Sequence, residues 1–250
     1  MASDQMVLVT GGSRGIGAAT AVAAARRGWS VLLTYRADAD AAKSVVEQCT
    51  TLGVRAGAVP FDAADLDAVE SLFAEVDGFG VPLRGLVNNA GISTPPSVVA
   101  EMPTERITRT IVVNAVSPMI VAREAVRRMA VSRGGAGGAI VNVSSRLSEL
   151  GAPGRHVDYA TSKAAVDGFT RGLGREVVGD GVRVNGVRPG VIDTEMHASI
   201  GEPDRAYQMA SMIPIGRPGR ADEVANTIVW LLSDEASYIS GCLVEVSGGR

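Results

Sequence analysis

Cysteine, lysine and aromatic residues are all scarce in this 250-residue chain. The two cysteines, Cys49 and Cys242, stand far apart and form neither a CxxC pair nor a disulfide framework, which fits a reducing compartment and points to the cytoplasm. Two Trp, four Tyr and four Phe leave little surface for stacking nucleobases. With 24 basic and 27 acidic residues the net charge is −3, so there is no electrostatic basis for gripping a phosphodiester backbone. Nucleic acid is not expected as a partner. No apolar run reaches the ~18 residues of a membrane span, and the first, Met6 to Thr10, is too short and too early for a secretion signal. Two histidines offer little to a metal; Asp193, Glu195 and His197 do not make a ligand set, and no metal is expected.

What is present is ample core material, 46% hydrophobic against 20% charged residues. Short β-branched runs recur along the chain with Ala-rich helical patterns between them, the alternation of parallel βαβ construction. Strands are expected at Met6 to Thr10, Val31 to Tyr35, Val54 to Pro60, Gly85 to Asn88, Ala139 to Ser144, Val182 to Val187 and Leu243 to Val246. Helices are expected at about 15 to 27, 38 to 52, 65 to 77, 103 to 132, 157 to 178 and 221 to 233. Runs such as "VLVT" and "AIVNVS" are continuously apolar, as strands covered on both faces must be. No linker interrupts the series. The reading is an α/β fold: one doubly wound domain over 1–250, about seven parallel strands with helices on both faces.

Directly after the first strand comes Thr10-Gly11-Gly12-Ser13-Arg14-Gly15-Ile16-Gly17, opening a helix. Gly11 permits a tight turn, Gly15 lets backbone approach a pyrophosphate, and Gly17 allows close packing of helix on sheet. The helix N-terminus adds unpaired N–H groups and a partial positive charge. This is a dinucleotide seat with GxxxGxG spacing. At the end of the second strand, Leu33-Thr34-Tyr35-Arg36 lacks the carboxylate that would bind an adenosine ribose 2′-hydroxyl. Arg36 and Arg14 favour a 2′-phosphate instead, so NADP(H) is expected over NAD(H). Asp62, followed by Ala63 after the third strand, is placed to accept from the adenine amino group or to cap the next helix.

Tyr159 and Lys163 in "YATSK" lie four apart on an expected helix and share a face. A tyrosine with an ordinary pKa near 10 needs a shift of ~3 units, about 4 kcal/mol, to exchange protons near neutral pH. A neighbouring ammonium supplies part of that by stabilising the phenolate. Lys163 is one of only two lysines, with Lys43. The strand from Ala139 ends at Ser144 and Ser145, where a hydroxyl at the carboxyl edge of the sheet can donate to a substrate carbonyl; alternation alone leaves both serines open. Asn114 precedes Pro118 by four residues, so its carbonyl loses the usual helical donor and a kink is expected there, with that carbonyl open to a proton relay toward Lys163.

These residues, with "NNAG" at Asn88 to Gly91, "NVSS" at 142 to 145, "RPG" at 188 to 190 and the closing "SGG", resemble the short-chain dehydrogenase/reductase family over nearly the whole chain. The pattern is similar to 3-oxoacyl-carrier-protein reductases and glucose 1-dehydrogenases. The resemblance implies a Rossmann fold, the catalytic set Asn114, Ser145, Tyr159 and Lys163, and cofactor contacts from Asn89, Ala90, Gly91, Pro189, Gly190, Ile192 and Thr194. It also implies a homotetramer built on the helices near 103 to 132 and 157 to 178 and on the last strand. The segment between Ser145 and Tyr159 is one residue longer than the common family spacing. The stretch 194–218, broken by Gly201 and Pro203 and carrying Met196, Met209 and Met212, suits a mobile lid over the substrate.

The function expected is hydride transfer between NADP(H) and a small-molecule carbonyl or secondary alcohol, with Tyr159 as general acid and base. The alternative is an NADP(H)-binding redox sensor without turnover. A complete acid and base set argues against the sensor.

Overall fold

The computed structural model describes residues 5–250. Its strands are β1 (Met6–Val9), β2 (Ser30–Tyr35), β3 (Ala56–Pro60), β4 (Leu83–Asn88), β5 (Gly138–Val143), β6 (Val182–Pro189), the two-residue β7 (Ile192–Asp193) and β8 (Gly219–Arg220), and β9 (Leu243–Val246). The helices are α1 (Gly15–Arg26), α2 (Ala39–Thr51), α3 (Ala68–Gly78), α4 (Thr104–Ile111), α5 (Ser117–Met129), α6 (Leu147–Leu150), α7 (Val157–Glu176), α8 (Glu195–Ser199), α9 (Arg205–Gln208) and α10 (Ala221–Leu232).

Seven strands form one parallel sheet in the order β3-β2-β1-β4-β5-β6-β9, the Rossmann arrangement with the chain reversing direction of growth between β1 and β4. Strand period explains the two-sided core. Val7, Val9, Val31, Leu33 and Val141 pack on one face with residues of α1, α2 and α10. Their alternates Met6, Leu8, Leu32 and Ile140 pack on the other with residues of α3, α5 and α7. The continuous apolar runs therefore fill two layers at once.

Two expected helices differ. The one read from 65 starts at Ala68, because the Asp65 carboxylate accepts from the N–H groups of Asp67 (3.2 Å) and Ala68 (3.3 Å). Asp62 does not cap it; its carboxylate accepts from the Ala64 N–H at 2.9 Å. The long helix read over 103 to 132 is three pieces. Between α4 and α5 lies a π-helical turn, Val112–Val116, and Pro118 opens α5. A proline without an N–H cannot continue the α-helical ladder, and the widened turn absorbs the missing bond.

Candidate active site

The carboxyl ends of β1, β4, β5 and β6 open into one cleft of about 560 Å³. At its floor the turn after β1 leads into α1. Gly11 and Gly15 have φ of +63° and +53°, a region that favours glycine. A Cβ on Gly17 would stand 2.2 Å from Gly11 O and 2.5 Å from Asn89 Nδ2, so only glycine lets α1 sit this close to the turn. No side chain caps α1 at Arg14 and no carboxylate lies in its first turn. The helix therefore presents its N–H groups and its positive end to the cleft, as a pyrophosphate requires.

The "NNAG" segment braces this cradle. Thr10 Oγ1 accepts from the N–H groups of Asn89 (3.0 Å) and Ala90 (3.1 Å). Asn89 Nδ2 donates to the carbonyls of Thr10 and Gly11, both at 2.9 Å. Behind it, Asn88 Nδ2 donates to Pro118 O (3.0 Å) and Asn142 Oδ1 (2.9 Å), and Asn142 Nδ2 donates to Thr170 Oγ1 (2.9 Å). This buried chain ties β4 and β5 to α5 and α7. Sequence reading names Asn142 only within the "NVSS" run, without this bridging part, and passes over Thr170; two asparagines at equivalent depth in otherwise apolar neighbouring strands are the available signal.

Tyr159 and Lys163 lie one turn apart on α7, with Lys163 Nζ 5.8 Å from the centre of the tyrosine ring. The ammonium donates to Val143 O at 2.7 Å. Ser145 and Ser144 separate here. Ser144 Oγ is buried and donates to Lys163 O at 3.2 Å, whereas Ser145 Oγ accepts from the Leu147 N–H at 3.1 Å and lines the cleft with Tyr159. Asn114, in the π-helical turn, accepts from the Ile92 N–H at 2.8 Å and donates to Ile92 O (2.9 Å) and Ser162 Oγ (3.2 Å). A Cβ on Gly91 would lie 3.3 Å from Asn114 Oδ1 and 3.6 Å from Lys163 Nζ. The asparagine thus supports the cleft wall from behind.

Burial pushes the Tyr159 phenol above its ordinary value, and the hydrogen bond with Ser145 pulls the other way. Burial also brings the Lys163 ammonium down to about 8, opposed by the Asp167 carboxylate one turn further along α7. The spacing of Tyr159 and Lys163 predicts a phenol lowered by the ammonium; in the folded protein the phenol is instead raised, by burial, with the Ser145 hydrogen bond opposing. Asp167 is itself clamped: Arg188 Nε and Nη2 donate to its Oδ2 at 3.0 and 2.8 Å.

All the candidate residues except Gly17 and Asn114 line the cleft, those two lying one layer behind it. Arg14 and Arg36 are exposed on its rim, and Asp62 stands 3.7 Å from Arg109. Sequence reading missed His156, buried in the wall three residues before Tyr159, whose Nδ1 has no partner among the described residues. Its spacing from Tyr159 and Lys163, on one helical face, was the signal. Burial, then the charge of Arg155, holds its imidazole below the ordinary histidine value.

Residues 11–250 match the family model described as enoyl-(acyl carrier protein) reductase. The chain is 31% identical to a short-chain type dehydrogenase/reductase from Mycobacterium marinum, covering 99% of this chain and 95% of that one, with a TM-score of 0.91. It belongs to the short-chain dehydrogenase/reductase family. This oxidoreductase is also 49% identical to the uncharacterized oxidoreductase YgfF of Escherichia coli, over 98% of this chain and 99% of that protein. It is 35% identical to the 3-oxoacyl-[acyl-carrier-protein] reductase FabG of Staphylococcus aureus, over 100% and 99% of the two chains. A short chain dehydrogenase from Burkholderia cenocepacia, solved in complex with NADP, is 35% identical over 99% of this chain and 98% of its own, with a TM-score of 0.89. Among the described residues of this family member, no helix is long and apolar enough to cross a membrane.

Proposed function

We propose that the protein is an NADP(H)-dependent oxidoreductase that interconverts a small-molecule carbonyl and its secondary alcohol, with Tyr159 as general acid and base. The observation that carries this reading is the meeting of Tyr159, Ser145 and Lys163 in the same cleft as the uncapped head of α1. The cradle at Gly11, Gly15 and Gly17, where added side chains would strain or fill the turn, fits a dinucleotide pyrophosphate. Ser13, Ile16, Ala63 and the main chain at Asn89, Ala90 and Gly91 flank it, and Pro189, Gly190, Ile192 and Thr194 line the side toward Tyr159. Arg14 and Arg36 on the rim suit a 2′-phosphate. The relative solved with NADP supports that choice.

When bound, the reduced nicotinamide supplies the hydride. Ser145 donates to the substrate carbonyl oxygen and Tyr159 gives that oxygen its proton; in the opposite direction Tyr159 accepts the proton of the alcohol. Lys163, charged with the help of Asp167, counters the negative charge that this exchange leaves on Tyr159. Asn114 holds Ile92 and the wall beside Lys163. Segment 194–218 acts as a lid over the substrate: it carries α8, α9 and the exposed Met196 and Met212. One Rossmann domain over 1–250 carries all of this, and a homotetramer in the cytoplasm is the expected setting, in keeping with two unpaired cysteines.

The test is a screen of NADPH and NADH oxidation over ketones, quinones, acyl thioesters and sugars, with Tyr159→Phe alongside. Tyr159→Phe is expected to lower turnover by about 100-fold or more while still binding NADPH. Arg36→Asp is expected to shift preference toward NADH. Tight NADPH binding with no oxidation across the panel would favour a redox sensor instead.

A further inference from the structure

The cleft has an uneven charge. Six arginines line it: Arg14, Arg36 and Arg109 stand with the carboxylates, whereas Arg146, next to Ser145, groups with Arg205 and Arg250, and His156 and His197 line the cleft as well. The lining carboxylates stand apart from that group. Asp62 faces Arg109, and Glu195 Oε2 lies 3.7 Å from where a Cβ on Gly15 would be, at the head of α1. Two of the three arginines are already matched. Arg146 Nη1 donates to Glu149 and to Glu245, and Arg205 Nη1 donates to Glu202 at 3.0 Å.

Arg250 differs. Arg146 Nε donates to its main-chain oxygen at 2.7 Å and its own N–H donates to Ser247 O, but among the described residues its guanidinium has no hydrogen bond and no ion pair. The side chain is half-buried, and burial together with the charges of Arg205 and Arg146 holds it below its ordinary value. Its position is fixed from below. A Cβ on Gly248, at φ +64°, would stand 2.7 Å from Ile215, and one on Gly249 would stand 3.2 Å from Pro214, so the tail packs tightly under the lid segment. A partly desolvated guanidinium facing two other cations is unfavourable without an anion, and its planar fork matches carboxylate and phosphate oxygens.

We propose that Arg250 is a specificity-determining residue that binds an anionic group of the substrate, a carboxylate or a phosphate monoester, beside the Ser145 and Tyr159 hydroxyls. The proposal rests on the reading of the cleft as a carbonyl and alcohol site. It makes the preferred substrates oxo acids, hydroxy acids or their phosphorylated counterparts rather than neutral ketones. Arg205, carried on the lid, adds to the positive field there when the segment lies over the cleft.

The experiment uses matched pairs on the full chain saturated with NADPH: 3-oxobutanoate against its methyl ester, and dihydroxyacetone phosphate against dihydroxyacetone. NADPH oxidation gives kcat/KM for each, and calorimetry gives binding. In one pair the anionic member is expected to exceed its neutral partner about tenfold or more, the worth of a charge-assisted hydrogen bond. The pair that responds tells carboxylate from phosphate. Arg250→Ala and Arg250→Gln should collapse that ratio toward one, and Arg250→Lys should restore part of it. Melting temperatures report folding, and Arg250→Gln separates loss of charge from loss of packing. Turnover without preference for the anion, or a preference unchanged in Arg250→Gln, overturns the anion site and leaves hydride transfer standing. Binding that depends on Arg250 without any turnover supports the anion site and counts against hydride transfer. No binding of either anion overturns the proposal.

Discussion

Lys163 Nζ donates to Val143 O at 2.7 Å and sits 5.8 Å from the centre of the Tyr159 ring, so β5 holds one buried amine over the face of that tyrosine. Burial brings that amine down to about 8 while it pushes the tyrosine up. In carbonyl reduction kcat/KM is therefore expected to hold through neutral pH and fall above about pH 8, as Lys163 loses its proton before Tyr159 does. Asp167→Asn removes the attraction that retains that proton, so the falling limb should move to lower pH. Rate profiles of the two proteins check this, and an unmoved limb would sink it. Stability follows the same ionisation. The unfolded chain keeps the lysine proton to ~10.4, so between about pH 8 and 10 it binds more protons than the folded one, and this group makes stability rise with pH.

The turn proposed to seat the pyrophosphate depends on an atom that is missing. Gly17→Ala would drive a methyl group to 2.2 Å from Gly11 O, against backbone that cannot swing away. Overpacking of this kind costs about 1–3 kcal/mol, and here it also displaces Asn89 from Gly11 and Thr10. Thermal denaturation should show the loss of stability and fluorescence titration a weaker grip on NADPH. Gly78→Ala is the control: it closes α3, outside the helices proposed for the tetramer, with nothing within 4 Å, and should be neutral or stabilising by up to about 1 kcal/mol.

Much of this architecture was legible because parallel strands and their helices write different periods into the chain. Val7 and Val9 against Met6 and Leu8 gave both faces of β1, and the glycine spacing gave the head of α1. Tyr159 and Lys163 were legible as a helical pair. What was not legible depended on distance through space. The matching of Arg146 by Glu245, 99 residues away, and of Arg205 by Glu202 leaves Arg250 unmatched among the three arginines near Ser145, and no local pattern encodes that. The spacing of Asn114 and Pro118 predicts a kink but not its π-helical form, nor that Asn114 is held by Ile92 across 22 residues. The rise of the Tyr159 phenol through burial also needs the folded surroundings, since spacing alone carries no desolvation.

Next to Tyr159 the chain buries an ion pair that fixes the start of α7. Arg106 Nε donates to Asp158 Oδ2 at 2.9 Å, with the two side chains 12% and 1% exposed, and Thr110 donates to the same oxygen. Burial pushes the Asp158 carboxyl up, but hydrogen bonds from Arg106 and the Tyr159 N–H overcome it and hold the group below its ordinary value. A carboxyl lowered by folding stabilises the protein above its unfolded value and loses that contribution as pH falls through the folded one. Arg106→Ala should therefore cost about 3–5 kcal/mol at pH 7, the usual penalty for stranding a buried charge. The gap from the parent should narrow below about pH 4 as Asp158 takes up a proton. Urea unfolding at several pH values measures both; a gap independent of pH would contradict the ion-pair account.

Adjacent hydroxyls at the end of β5 should give opposite phenotypes. Ser144 Oγ is spent on Lys163 O inside the protein, so Ser144→Ala removes one buried hydrogen bond, a loss of about 1 kcal/mol of stability. Ser145 stands in the cleft against Tyr159, where its hydroxyl would donate to a carbonyl oxygen as charge grows on it. Removing a donor of that kind lowers turnover by about 100-fold to 1,000-fold. Ser145→Ala is expected to lose activity in that range while melting only slightly earlier, for its hydroxyl also accepts from the Leu147 N–H, and Ser145→Thr to regain part of the activity by restoring a hydroxyl. Ser144→Ala should melt earlier and keep most of its turnover. Steady-state NADPH oxidation and thermal melts on the three variants separate the roles, and the reverse pattern would move the carbonyl donor to Ser144.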